Sequence, residues 1–151
     1  MPIVTPLVLP NACVKEAQLV VEVNYGADLA AGVSNTALVV NLFTCLANVM
    51  GVQLKHMELV TPFQDSADGA HISDAITVGD AGSANRLLTS TELNANGTYI
   101  TLKAGTGTFY VPTVDTVVTL TMTPTSAKNV KNLTAGKLLL YFKVLDARKV
   151  V

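Results

Sequence analysis

Strict alternation of side-chain character in the last third of the chain leaves room for little but a β-sheet. In VDTVVTLTM, Val114, Thr116, Val118, Leu120 and Met122 fall on one face, and Asp115, Val117, Thr119 and Thr121 fall on the other. That period of two is the signature of a strand with one core side. KLLLYFKVL repeats it, with Leu138, Leu140, Phe142 and Val144 inward and Tyr141 and Lys143 outward. QLVVEVN sets Leu19, Val21 and Val23 against Val20, Glu22 and Asn24, and TYITLK sets Ile100 and Leu102 against Thr101 and Lys103. Val and Thr dominate these runs, and β-branched side chains fit a pleated, half-buried surface.

The punctuation between runs agrees. Asn96-Gly97 lies between two strand-like runs, and both residues tolerate the positive φ of a tight hairpin turn. Further breaks fall at residues 104–107, at Pro112, at 123–126 and at 132–136. Turn signals at this spacing, with no long helical period, predict a single all-β domain: an antiparallel β-sandwich, jelly-roll-like. Residues 37–50 are a continuous apolar run that fits two short strands or one buried helix, and Thr36, Val39, Val40 and Thr44 favour strands. Residues 64–74 (QDSADGAHISD) read as a long surface loop.

The first eleven residues stand apart from the domain at 12–151. Prolines at 2, 6 and 10 with apolar side chains between them predict an extended N-terminal arm. The arm either lies on its own domain or reaches a neighbouring subunit. Pro2, Ile3, Val4, Pro6, Leu7, Val8, Leu9 and Pro10 are the candidate interface residues.

Composition bears on partners. The 151 residues are 50% hydrophobic but only 14% charged, with a net charge of −1. A small domain with so few charges is short of residues to cover its own surface, so part of its exterior is expected to be buried against copies of itself or a partner. Near-neutrality removes the long-range attraction that nucleic acid or an anionic membrane exploits, so neither is an expected partner. No apolar stretch has the composition and length of a membrane-spanning helix.

Chemistry leaves little trace. His56 and His71 sit in no zinc-ligand spacing, and His56 reads as a strand position with a satisfied imidazole. No nucleophile elbow is present. Cys13 and Cys45 have no framework spacing and read as buried free thiols. Asp65, Asp68, Asp74 and Asp80 concentrate in one stretch without a calcium-loop spacing, which reads as a solvated loop. Gly105-Thr106-Gly107 precedes no helix that could hold phosphate, and residues 79–82 read as a turn after a strand at 76–78. Six of the ten basic residues (Lys128, Lys131, Lys137, Lys143, Arg148, Lys149) lie near the C-terminus, where they could pair with the acidic stretch within the domain or between subunits. No catalytic, cofactor or metal residues are expected.

From residue 76 to 145 the chain resembles small virion proteins of tailed bacteriophages. The resemblance rests on Val78-Gly79-Asp80, the Asn85-Arg86 step, the Asn96-Gly97-Thr98 turn and the aliphatic closing strand at 136–145. It implies a jelly-roll-like sandwich and a non-enzymatic role in decorating (cementing) the exterior of a capsid. The resulting expectation is a homotrimer bound to the major capsid protein shell, located in the virion. The alternatives are a fibre or spike-base component that contacts a host receptor, and a small glycan-active sandwich enzyme with an acidic cleft.

Overall fold

The computed structural model describes residues 2–7, 16–30, 36–65, 75–95, 98–99, 101–124 and 129–146. Its long strands are the runs the alternation marks: β2 (Glu16–Asn24), β10 (Thr116–Thr123) and β11 (Leu133–Asp146). Joined to these are β1 (Ile3–Leu7), β3 (Leu38–Cys45), β4 (Met50–Asp65), β5 (Ala75–Asp80), β6 (Ser83–Glu92) and β9 (Leu102–Ala104). A small hairpin of β7 (Asn94–Ala95) and β8 (Thr98–Tyr99) stands between β6 and β9. Its register pairs Asn94 with Tyr99 and Ala95 with Thr98, and the expected turn at Asn96-Gly97 lies outside the described residues.

Two sheets result, ordered β1-β2-β11-β4-β9 and β3-β10-β5-β6. Setting β1 aside, the eight remaining strands pair first with last (β2 with β11), second with seventh (β3 with β10), third with sixth (β4 with β9) and fourth with fifth (β5 with β6). This nested antiparallel pairing is the jelly-roll order, so the expected fold is the one observed.

The inward residues of both sheets form one core. Val21 and Val23 of β2, Val118, Leu120 and Met122 of β10, and Leu138, Leu140, Phe142 and Val144 of β11 are all buried, as the alternation requires. Phe43 of β3 meets Phe142 of β11 edge to face across the sandwich, with ring centroids 5.1 Å apart. In β4 the alternation slips. Val52 and Leu54 are buried, and so are Met57 and Leu59, because the register against β11 shifts between Leu54 and His56. The extra residue, Lys55, forms a bulge that resets which side chains face inward.

Several expectations change. Residues 37–50 hold one strand, β3, followed by a turn and the first residue of β4, rather than two short strands. Val114 precedes β10 and is 68% exposed, because the strand begins only at Thr116. Leu102 is 62% exposed: β9 is a three-residue edge strand with no buried position, so the alternation there finds no core to face. Gln64 and Asp65 end β4 instead of opening a loop, and the rest of the 64–74 loop, with His71, lies outside the described residues. The turn near residue 80 is confined to Ala81 and Gly82, with Gly79 and Asp80 inside β5.

Candidate interaction surface

The two outer sheet faces differ in chemistry. On the five-stranded sheet, several outward side chains are held in polar pairs, alongside the exposed Val60 and Leu102. Lys137 Nζ lies 2.8 Å from Glu22 Oε2, and Asn24 Nδ2 donates to Glu22 Oε1 at 2.7 Å. The Asn24 bond and the Lys137 ammonium hold the Glu22 carboxyl below its usual range. The Tyr141 hydroxyl donates to Glu58 at 2.8 Å, and that carboxylate raises the phenol's pKa. The His56 ring stacks on Tyr141 with centroids 4.3 Å apart, which makes it a packed surface residue.

The four-stranded sheet presents a face of another kind. Val39 and Asn41 of β3, Val117, Thr119 and Thr121 of β10, and Ala84 of β6 line a shallow groove of about 710 Å³. Val39 is 56% exposed and Val117 39%. The strands β3 and β10 contain no charged residue. Charge enters the groove at Asp115, whose Oδ1 accepts from the Ala47 N–H at 2.8 Å, and at the pair Asp80 and Arg86.

That pair is the best-organised polar feature described. Asp80 is only 4% exposed and accepts from Arg86 Nε at 2.7 Å, from Gly82 N–H at 2.8 Å and from Ser83 N–H at 2.9 Å. Burial alone would raise its pKa, but the bonds from Arg86, Ser83 and Gly82 outweigh it and hold the carboxyl below its usual range. The Arg86 guanidinium in turn lies 4.3 Å from the centre of the Tyr110 ring. Tyr110 is fixed by a reciprocal backbone pair with Val52, at 2.8 and 2.9 Å. Asp80 is therefore a structural anchor for the β5–β6 turn and no member of a solvated acidic loop. The Gly79-Asp80 and Asn85-Arg86 steps carried the resemblance, but their linear spacing did not reveal the ion pair between them.

The segment after β9 closes one side of the sandwich. Gly105 N–H donates to Lys55 O at 3.1 Å and Thr106 N–H to Leu87 O at 2.9 Å, which ties β4 to β6. A Cβ on Gly105 would stand 2.1 Å from Leu54 O, so the close approach of backbone requires glycine. This is the role of the Gly105-Thr106-Gly107 run.

Of the candidate arm residues, Pro2 is buried. Ile3, Val4, Thr5, Pro6 and Leu7 form β1, paired antiparallel with β2 in the register Ile3 with Glu22 through Leu7 with Gln18. Pro6 is tolerated because β1 is an edge strand. Val8, Leu9 and Pro10 lie outside the described residues, as do Cys13, Asp68 and Asp74. Cys45 is buried and free, its thiol 3.6 Å from Met50 O, and burial pushes its pKa up to about 11. Among the described residues, no three of His, Cys, Asp or Glu gather where they could hold a metal ion.

The fold therefore defines a jelly-roll β-sandwich with one charged and one almost charge-free sheet face. No family model matches the chain, and no curated protein matches it. Among solved structures, a chain of the "Cyanophage Pam1 capsid asymmetric unit" is similar, with a TM-score of 0.58 and 16% identity over 92% of each chain. At that identity the likeness is one of fold.

Proposed function

We propose that this chain is a non-enzymatic structural protein of a bacteriophage virion that decorates and stabilises the capsid exterior by self-association and repeated contacts with the shell. The reading rests on the outer groove over β3 and β10, two strands without a charged residue, and the likeness to a chain from a cyanophage capsid supports it. Four strands spaced ~4.8 Å apart and eight residues long give that face a footprint of roughly 500 Å². A stable isolated complex buries about 800 Å² per partner, so this face alone suits one junction in an array. Repetition across a shell then raises occupancy, because each tethered copy rebinds at high effective concentration. Association as a trimer, with residues 1–11 bridging subunits, is the simplest assembly of this kind.

The test is co-sedimentation with shells purified from the encoding phage and stripped of this protein, with native mass measured in parallel. Saturable binding of an oligomer supports the reading. A protein that stays in the supernatant at every concentration overturns it.

A further inference from the structure

Three hydrogen bonds fasten the turn between β3 and β4 to the segment that precedes β10. Asn48 adopts φ 58°, a left-handed conformation that asparagine tolerates, and its N–H donates to Pro112 O at 2.8 Å. Its side-chain amide donates to Thr113 O at 3.4 Å, and the Ala47 N–H donates to Asp115 Oδ1 at 2.8 Å. That segment supplies Val114 and Asp115 to the wall of the groove over β3 and β10. The turn therefore buttresses one side of the interaction surface. Cys45, where β3 ends, pairs with Thr116, where β10 begins.

A thioether closes the turn from within. The Leu46 N–H donates to Met50 Sδ at 3.5 Å, and the Met50 N–H returns to Leu46 O at 3.1 Å. The Cys45 thiol donates to Met50 O at 3.6 Å. Met57 and Met122, the other methionines among the described residues, are fully buried, whereas Met50 is partly buried and packs against the margin of the core. A methionine near the surface is open to two-electron oxidants, and its sulfoxide is polar where the thioether was apolar.

We infer that Met50 is an oxidation-sensitive latch: oxygen transfer from hydrogen peroxide to its sulfur releases the β3–β4 turn and loosens the groove wall. The sulfur lone pair attacks one peroxide oxygen, and an S–O bond forms as the O–O bond breaks. Sulfur is oxidised to the sulfoxide, and the departing hydroxide takes the transferred oxygen's proton and leaves as water. An oxygen added on the side of Leu46 would come closer to its nitrogen than the roughly 2.7 Å that a hydrogen bond allows. Turned away from Leu46, it still makes polar a side chain that packs against the core. Both arrangements favour an open turn.

The experiment treats the full chain with graded hydrogen peroxide, quenches it, and maps each methionine by mass spectrometry. Met50 should convert to the sulfoxide well before Met57 and Met122. Iodoacetamide should then label Cys45 at least about fivefold faster than in the untreated chain, as expected for the loss of one hydrogen bond. Met50→Gln, polar and of similar length, should label as fast without peroxide, and in Met50→Leu peroxide should leave Cys45 labelling unchanged. Oxidation of Met57 or Met122 as fast as Met50 overturns the inference. So does unaccelerated Cys45 labelling in chains that carry the Met50 sulfoxide. The oxidised chain should also bind stripped shells of the encoding phage more weakly, and undiminished binding overturns the link from turn to groove. That arm alone rests on the capsid reading, which fails if the untreated chain does not bind shells, whatever the labelling shows.

Discussion

Arg86 Nε donates to Asp80 Oδ2 across 2.7 Å, six residues apart on the two arms of a tight β-hairpin. The carboxylate is buried and the guanidinium half-buried, so the pair locks the β5–β6 turn and positions Tyr110 under the cation. Asp80→Ala removes the acceptor for three donors and leaves Arg86 uncompensated. A loss of about 3 kcal/mol is expected in urea unfolding, with Asp80→Asn losing less.

The same carboxyl sets an acid limit. Its pKa is lower folded than unfolded, so its contribution to stability is fully present above the unfolded carboxylate value of about 4. That contribution disappears as the pH falls through the folded value. Thermal midpoints of the wild-type chain should therefore drop below about pH 4 more steeply than those of Asp80→Asn. Parallel pH profiles for the two proteins would contradict the assignment.

Cys45 should be inert in the native state. With its pKa pushed up to about 11 and its side chain buried, it stays a thiol at pH 8. Site-resolved mass spectrometry after iodoacetamide treatment should find Cys45 unmodified in buffer and modified in denaturant. Rapid labelling of the folded protein would mean that the β3–β4 turn opens readily.

Gly136 adopts φ +144°, and a Cβ there would stand 1.9 Å from Phe63 Cδ1. Gly136→Ala therefore meets both backbone strain and a buried ring. Destabilisation of about 2–4 kcal/mol is expected from calorimetry, against less than about 0.5 kcal/mol for Val60→Thr on the surface.

Removing residues 1–11 deletes β1, which among the described residues pairs with β2 alone. The eight-stranded jelly roll keeps its core, so the truncated chain should retain its β circular-dichroism spectrum while native mass or shell binding falls. Complete loss of folding would show that the arm is part of the domain rather than an attachment to it.

How much of this was legible beforehand follows from the range of each interaction. Alternation named the inward residues of β2, β10 and β11, because a strand with one buried face writes its burial directly into a period of two. Asn96-Gly97 marked the break between two strands that pair, β7 and β8, since a turn signal is a local property. The same rule misjudged Leu102 and Val114, where a short edge strand and a strand-leading loop offered no core. It could not see the Lys55 bulge, which is decided by pairing with β11. Only the tertiary structure joined Asp80 to Arg86 and Tyr110 and set the uncharged strands β3 and β10 side by side. Those outcomes depend on which strands become neighbours, and neighbour choice is settled by burial of the whole core rather than by any segment on its own.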